Sequence, residues 1–255
     1  MVDIRAGDPG RVAGAGMFVK PKLIIFDCDG VLVDSELISA EVCIETLGEA
    51  GITIRLEEVY ERFLGRSLVL MSSILADTLG KTIGDDALKT MRERLYDRFR
   101  RQLKPIPHVA DTLDALDIPF CVASSSQPER IRLSLDITGL KQRFEPNIFS
   151  ATMVANGKPA PDLFLHAARA LNVEPGDCVV IEDSPAGIAA AQAAGMTAVA
   201  FVGGSHAEGA GLRAALAPLA PAAIFDDMRE LASLLDGLSD GPRGNQTSID
   251  LQGRS

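Results

Sequence analysis

The sequence lacks the marks of several functional classes. Its 255 residues hold no apolar run near the ~18 residues a membrane-spanning helix needs, so no such helix is expected and no membrane partner. The opening segment MVDIRAGDPGRVAGAG has no apolar core and carries acids, so it does not read as a secretory signal, and a cytoplasmic location is expected. A basic excess is missing as well: 25 Lys and Arg stand against 35 Asp and Glu, a net charge of −10. Proteins that grip nucleic acid through its phosphates are usually basic, so DNA and RNA are not expected partners. A small anion at a locally positive site is still compatible with that balance. The four cysteines, Cys28, Cys43, Cys121 and Cys178, form no CxxC pair and fit no zinc spacing. Three of them lie in or beside apolar runs and read as buried, reduced thiols. The three histidines, His108, His166 and His206, form no metal-type cluster in the sequence. No internal repeat is visible.

What is present is an alternation. Hydrophobic residues make up 47% of the chain, enough for a sizeable core. Short, continuously apolar runs at Leu23–Phe26, Ile118–Ala123, Ile148–Ser150, Cys178–Ile181 and Ala198–Phe201, and more weakly at Ala223–Phe225, read as strands covered on both faces. Helical patterns with readable starts lie between them. Ser126 opens SQPE, a capping box closed by Glu129. Ser184-Pro185 is an N-cap followed by proline, with Gly195 ending that helix, and Pro161 opens another. Such alternation predicts an α/β fold with a doubly wound parallel sheet. One segment breaks it. Residues 36–104 read as helix only, with Leu88, Met91, Leu95, Phe99 and Leu103 on one stripe. The expected organisation is a disordered extension over 1–20, a core in two parts over 21–35 and 105–236, a helical domain over 36–104, and a disordered tail over 237–255. Met17 is an alternative start.

The chemistry gathers at strand ends, where doubly wound sheets bind ligands. LIIFDCDG ends a strand in Asp27 and Asp29. Two neighbouring carboxylates repel and need a cation or a shared proton, and Mg²⁺ suits oxygen ligands; a plain turn is the alternative. CVASSS ends another strand in hydroxyls at the start of a helix, a natural phosphate site, with Ser126 spent as a cap and Ser124 free. VVIEDSPAG adds Glu182 and Asp183, with Ser184 already serving as the cap. NGKPAPD adds Lys158, which would balance charge beside four acids. Acids with a metal, a hydroxyl with helix N–H groups, and one lysine together suit phosphoryl transfer.

In this order the motifs resemble those of the haloacid dehalogenase superfamily, in its β-phosphoglucomutase-like group of phosphatases and mutases, over roughly residues 21–236. Asp27-Cys28-Asp29-Gly30-Val31 is similar to the first motif, DxDG(T/V); Ser124, Lys158 and Glu182-Asp183 stand for the other three. The resemblance implies a Rossmann-like core with an inserted all-helical cap. It implies Asp27 as nucleophile, forming an aspartyl-phosphate, and Asp29 as the acid and then the base. Mg²⁺ would be held by Asp27, the backbone carbonyl of Asp29, and Asp183, with Glu182 binding directly or through water. Ser124 and the N–H of Ser125 would bind phosphoryl oxygens, and Lys158 would neutralise nucleophile and phosphate.

Asp29 argues against a true dehalogenase, which resembles this fold without the second aspartate. The nearest rival is a phosphosugar mutase. Ser39 stands where β-phosphoglucomutases carry a histidine, and Leu68 where they carry a cap arginine, unless Arg66 substitutes. No lysine lies between Lys22 and Lys81, so the first cap helices offer no Schiff-base lysine of the phosphonate-hydrolase kind. A non-catalytic binding module is the remote alternative. The expected substrate is a small phosphorylated metabolite, a sugar phosphate or a sugar-acid phosphate such as 6-phosphogluconate, with Arg66 as a candidate cap contact and a monomer as the working form. Residues 89–104 hold seven bases and two acids, either a solvated helix face or an attractor for anions.

Overall fold

A computed structural model describes residues 20–63 and 68–239. The chain runs β1 (Leu23–Phe26), α1 (Glu36–Glu49), α2 (Leu56–Phe63), α3 (Leu68–Leu79), α4 (Asp85–Gln102), α5 (Val109–Ala115), β2 (Phe120–Ser124), α6 (Pro128–Ile137), α7 (Lys141–Phe144) and β3 (Ile148–Ser150). It continues through α8 (Asp162–Ala170), β4 (Cys178–Glu182), α9 (Pro185–Ala193), β5 (Thr197–Phe201), α10 (Leu212–Leu216), β6 (Ala223–Phe225) and α11 (Leu231–Ser239).

The six strands form one parallel sheet in the order β3-β2-β1-β4-β5-β6. Strands β1, β2 and β4 are almost wholly buried, as a parallel sheet covered by helices on both faces requires. The strand order reverses between β1 and β4, which opens the crevice where such sheets bind ligands. Phe26 pairs with Val122 on one side and Ile181 on the other. Continuing that register places Asp27 level with Ala123 and Glu182, so three strand ends deliver their polar residues to one place.

The four helices α1–α4 all lie between β1 and β2. Helix α4 buries Met91, Leu95 and Phe99 and packs along α1. Leu88 is half-buried and Leu103 follows the helix end, still buried. The two connections between insertion and sheet run side by side: the Asp34 N–H donates to Lys104 O at 3.0 Å, and the Ile106 N–H to Leu32 O at 3.0 Å. Among the described residues, no helix is long and apolar enough to cross a membrane.

Three expectations need correcting. Ser126 does not cap α6; Gln127 occupies the cap position, and its side chain makes no capping hydrogen bond. Pro128 follows and has no N–H to cap, while the Ser126 hydroxyl finds a charged partner, Asp29, at 2.7 Å. At the C-terminal end, α11 continues to Ser239, past the expected start of the tail at 237. The rest of that tail, residues 1–19 and Arg66 lie outside the described residues. The Ser184 cap agrees with the sequence: its side chain accepts the Gly187 N–H, Pro185 follows, and Gly195 has a φ of +71°; Pro161 instead occupies the cap position, and α8 begins at Asp162. All four cysteines are buried and free.

Candidate active site

Lys158 is the hub of the strand-end cluster. Its Nζ donates to Asp27 Oδ1 at 2.6 Å, to Glu182 Oε1 at 2.6 Å and to Ala123 O at 3.0 Å. It also lies over the Phe164 ring, 4.9 Å from its centre. One ammonium thus ties together the ends of β1, β2 and β4. Burial opposes its charge, but Asp27 and Glu182 outweigh that and hold the lysine protonated.

The other oxygen of Glu182, Oε2, accepts from the Asp183 N–H, the Ser184 N–H and the Ser184 hydroxyl at 2.9–3.0 Å. This is an acid seated at the start of a helix, where the free N–H groups favour negative charge. Gly187 makes the seat possible, because a Cβ there would lie 1.8 Å from the Glu182 carboxyl carbon. Both Glu182 oxygens are therefore engaged within the protein.

Asp29 turns the other way. Its Oδ1 accepts from the Ser35 hydroxyl at 2.7 Å and from Arg130 Nη2 at 2.8 Å, and its Oδ2 from the Ser126 hydroxyl. Burial alone would raise this carboxyl, but Arg130 and the hydroxyls overcome it and hold the group below the ordinary carboxylate range. Asp27 goes in the opposite direction: burial and the neighbouring Glu182, Asp183 and Asp29 push it well up, with Lys158 opposing.

Gly30, between these acids and the insertion, has a φ of +78°, and a Cβ there would sit 1.8 Å from Asp183 Oδ2. Only glycine fits that turn. Among the described residues, Asp27, Glu182 and Asp183 bring carboxylate oxygens within 4.8 Å of one another, and Asp183 Oδ2 is buried with no hydrogen-bond partner. Among the described residues, the carboxylates of Asp27, Asp29, Glu182 and Asp183, with Glu36 beside them, face two cations, Lys158 and Arg130. A hard, oxygen-binding divalent ion matches both the donor set and the missing charge, so Mg²⁺ fits these residues. The Asp29 carboxylate is not among the three.

Ser124 is buried at the end of β2, where its hydroxyl accepts the Ser126 N–H at 3.1 Å. Ser124 and Ser125 line a cavity of about 70 Å³ with Asp27, Asp29, Ser39 and Arg130. An adjoining cavity of about 620 Å³ lies between α4, which contributes Arg92 and Tyr96, and the loop that carries Lys158. Every site residue expected from the sequence and described here, from Asp27 to Asp183, therefore belongs to this one crevice.

Two residues join the site that the sequence did not single out. Arg130, in the first turn of α6, bonds Asp29 and the Ser39 hydroxyl at 3.2 Å and lies over Phe99, 5.3 Å from its ring centre. It sits on the helix that follows the serine run, which was the one available signal. His206, in the glycine-rich loop after β5, places Nε2 3.1 Å from Asp183 Oδ2. Its spacing from the acids carries no signal, because β5 meets β4 only through the sheet order.

The profile of haloacid dehalogenase-like hydrolases matches residues 21–195. The chain is 33% identical over 187 residues to the 6-phosphogluconate phosphatase of Escherichia coli (strain K12), covering 72% of this chain and 83% of that protein. It is likewise 33% identical over 209 residues to the β-phosphoglucomutase of Bacillus subtilis (strain 168), covering 75% and 88%. A solved haloacid dehalogenase-like protein from Agrobacterium tumefaciens superposes with a TM-score of 0.74 at 36% identity, covering 86% of this chain and 99% of that one. Matched by that family's profile over residues 21–195 and by relatives in sequence and fold, the chain belongs to the haloacid dehalogenase-like hydrolases.

Proposed function

We propose that the protein is a Mg²⁺-dependent phosphatase acting on a small phosphorylated sugar or sugar acid through an aspartyl-phosphate on Asp27. The observation that carries this reading is the convergence of Asp27, Asp29 and Ser124 on one small cavity, with Lys158 behind Asp27. An Asp27 oxygen attacks phosphorus and the bond to the sugar oxygen breaks. Asp29 gives that leaving oxygen a proton. Asp29, now ionised, takes a proton from a water, whose oxygen attacks the same phosphorus and releases phosphate and the Asp27 carboxylate. Asp27, Asp183 and the Asp29 backbone carbonyl would hold Mg²⁺, which would supply charge stabilisation for the phosphoryl oxygens. Ser124 and the Ser125 N–H hold those oxygens, and Lys158 offsets the charge of the nucleophile.

At rest Arg130 keeps Asp29 ionised. The incoming phosphate dianion raises the proton affinity of Asp29, which takes up a proton from solvent and so becomes the acid. Glu182 serves mainly as the anchor of Lys158.

Equal percent identity to a phosphatase and to a mutase does not by itself choose between the two reactions. Ser39 favours hydrolysis. It stands where the mutases have a histidine, and its hydroxyl is taken up by Arg130. The test is phosphate release from hexose and pentose phosphates and 6-phosphogluconate, with β-glucose 1-phosphate followed for isomerisation. Release that needs Mg²⁺ and vanishes in Asp27→Asn is expected; conversion to glucose 6-phosphate without release would establish the mutase.

A further inference from the structure

We propose that His206 is a positioning residue of the metal site, holding Asp183 from outside the coordination sphere of the bound cation. The inference rests on the reading of Asp183 as a metal ligand.

Three polar atoms meet here in a buried place. His206 and Asp183 are 1% and 2% exposed. His206 Nε2 and Asp183 Oδ2 are 3.1 Å apart, yet neither has a hydrogen bond, because the ring N–H does not point along the line between them. His206 Nδ1 has no partner either. Leaving such groups unpaired in a buried place is costly. An Nε2–H directed onto Oδ2 would satisfy two of the three.

The surroundings are built to keep the ring there. Gly204 and Gly30 both lack the side chain that would displace it: a Cβ on Gly204 would lie 2.7 Å from the ring, and one on Gly30 would lie 3.1 Å from it. Tyr60 of α2 packs against its other side, with ring centres 6.1 Å apart. The loop itself is fastened to the start of the insertion, where the Ser205 N–H and hydroxyl donate to Asp34 Oδ1 at 3.0 and 2.8 Å. An imidazole in its neutral form has one ring N–H to donate.

His206 is not itself a ligand in this arrangement. Ligands on an octahedral ion at about 2.1 Å lie at most about 4.2 Å apart, and the imidazole does not join the three carboxylates that come within 4.8 Å of one another. It lies against the ligand rather than the ion. Hydrogen bonds of this kind to a ligating carboxylate typically raise metal affinity about 10–100-fold.

The experiment measures Mg²⁺ affinity of the full chain by competition with Mn²⁺, whose free fraction is read by electron paramagnetic resonance. Wild type, His206→Ala, His206→Gln and Asp183→Ala are compared, with the melting temperature of each metal-free form. His206→Ala is expected to weaken Mg²⁺ about 10–100-fold, and His206→Gln, which restores an N–H donor, to recover most of the loss. Wild-type affinity in a folded His206→Ala overturns the inference. So does equal weakening in both His206 variants together with a lowered metal-free melting temperature, which marks a packing role. Wild-type affinity in Asp183→Ala overturns the underlying assignment of Asp183 instead.

Discussion

The inserted helices and the strand ends of the sheet handle charge in opposite ways. On the helices, charge is balanced and wet. Arg98 of α4 pairs with Glu41 and Glu45 of α1, Arg94 pairs with Glu49, and Arg101 with Asp97. Pairs of this exposed kind contribute about 0.2–1 kcal/mol each. At the strand ends, four carboxylates and two cations are buried together, and the excess negative charge has no counterpart among the described residues. A cluster like that costs stability unless something completes it, so the imbalance itself points to a ligand. The basic run in α4, which from sequence could have drawn anions, is largely neutralised by the acids of α1 and of its own helix. Arg92 is the member of that run that lines the large cavity.

The sharpest way to break the comparison is to remove the hub. Lys158→Met leaves Asp27 and Glu182 without the ammonium between them. It is expected to abolish turnover and to destabilise the metal-free protein by about 3–5 kcal/mol, with added Mg²⁺ recovering part of the loss in urea unfolding. Arg130→Met comes next. It keeps the packing on Phe99 but frees Asp29, and kcat/KM is expected to fall about 10²-fold in a protein with unchanged secondary structure.

Glu36, at the start of α1, tests the boundary between the two regions. Burial, together with Asp29 and Asp183, raises its carboxyl from 4.5 to about 8. The folded state therefore binds this proton more tightly than the unfolded chain. Stability is fully supported below the ordinary carboxyl value and falls as pH rises from about 4.5 to about 8. Metal-free Glu36→Gln should lose that slope, which thermal unfolding across the window would show. The smallest effect belongs to the helices: Arg98→Ala should cost less than about 1 kcal/mol and leave turnover unchanged, as urea unfolding and a rate assay would show.

The sheet was legible because buried parallel strands are short apolar runs, and each run ended in the residue that mattered. Asp27, Ser124 and Glu182 reach the site through backbone register alone. The strand limits moved little; β2 begins at Phe120 rather than Ile118, and β4 extends to Glu182. Arg130 and His206 were not legible, since each arrives through tertiary packing. Arg130 reads in PERIRLSL as one more surface arginine of a helix. His206 reads as an isolated loop histidine until β5 is laid beside β4. Ser126 misled for a related reason: a local capping pattern lost to a carboxylate distant in the chain. In the insertion, the stripe of α4 was clear because its period is long and regular, but the residues that face the substrate depend on how four helices pack.

The central claim is that Asp27 receives the phosphoryl group. Its most direct test is a rapid acid quench of the Mg²⁺-loaded protein during turnover of a hydrolysed sugar phosphate, followed by peptide mass spectrometry. The account predicts a peptide heavier by one phosphoryl group, with the label on Asp27 and absent from Asp27→Asn. Full turnover with an unmodified Asp27 peptide at every quench time, and undiminished release in Asp27→Asn, would contradict it.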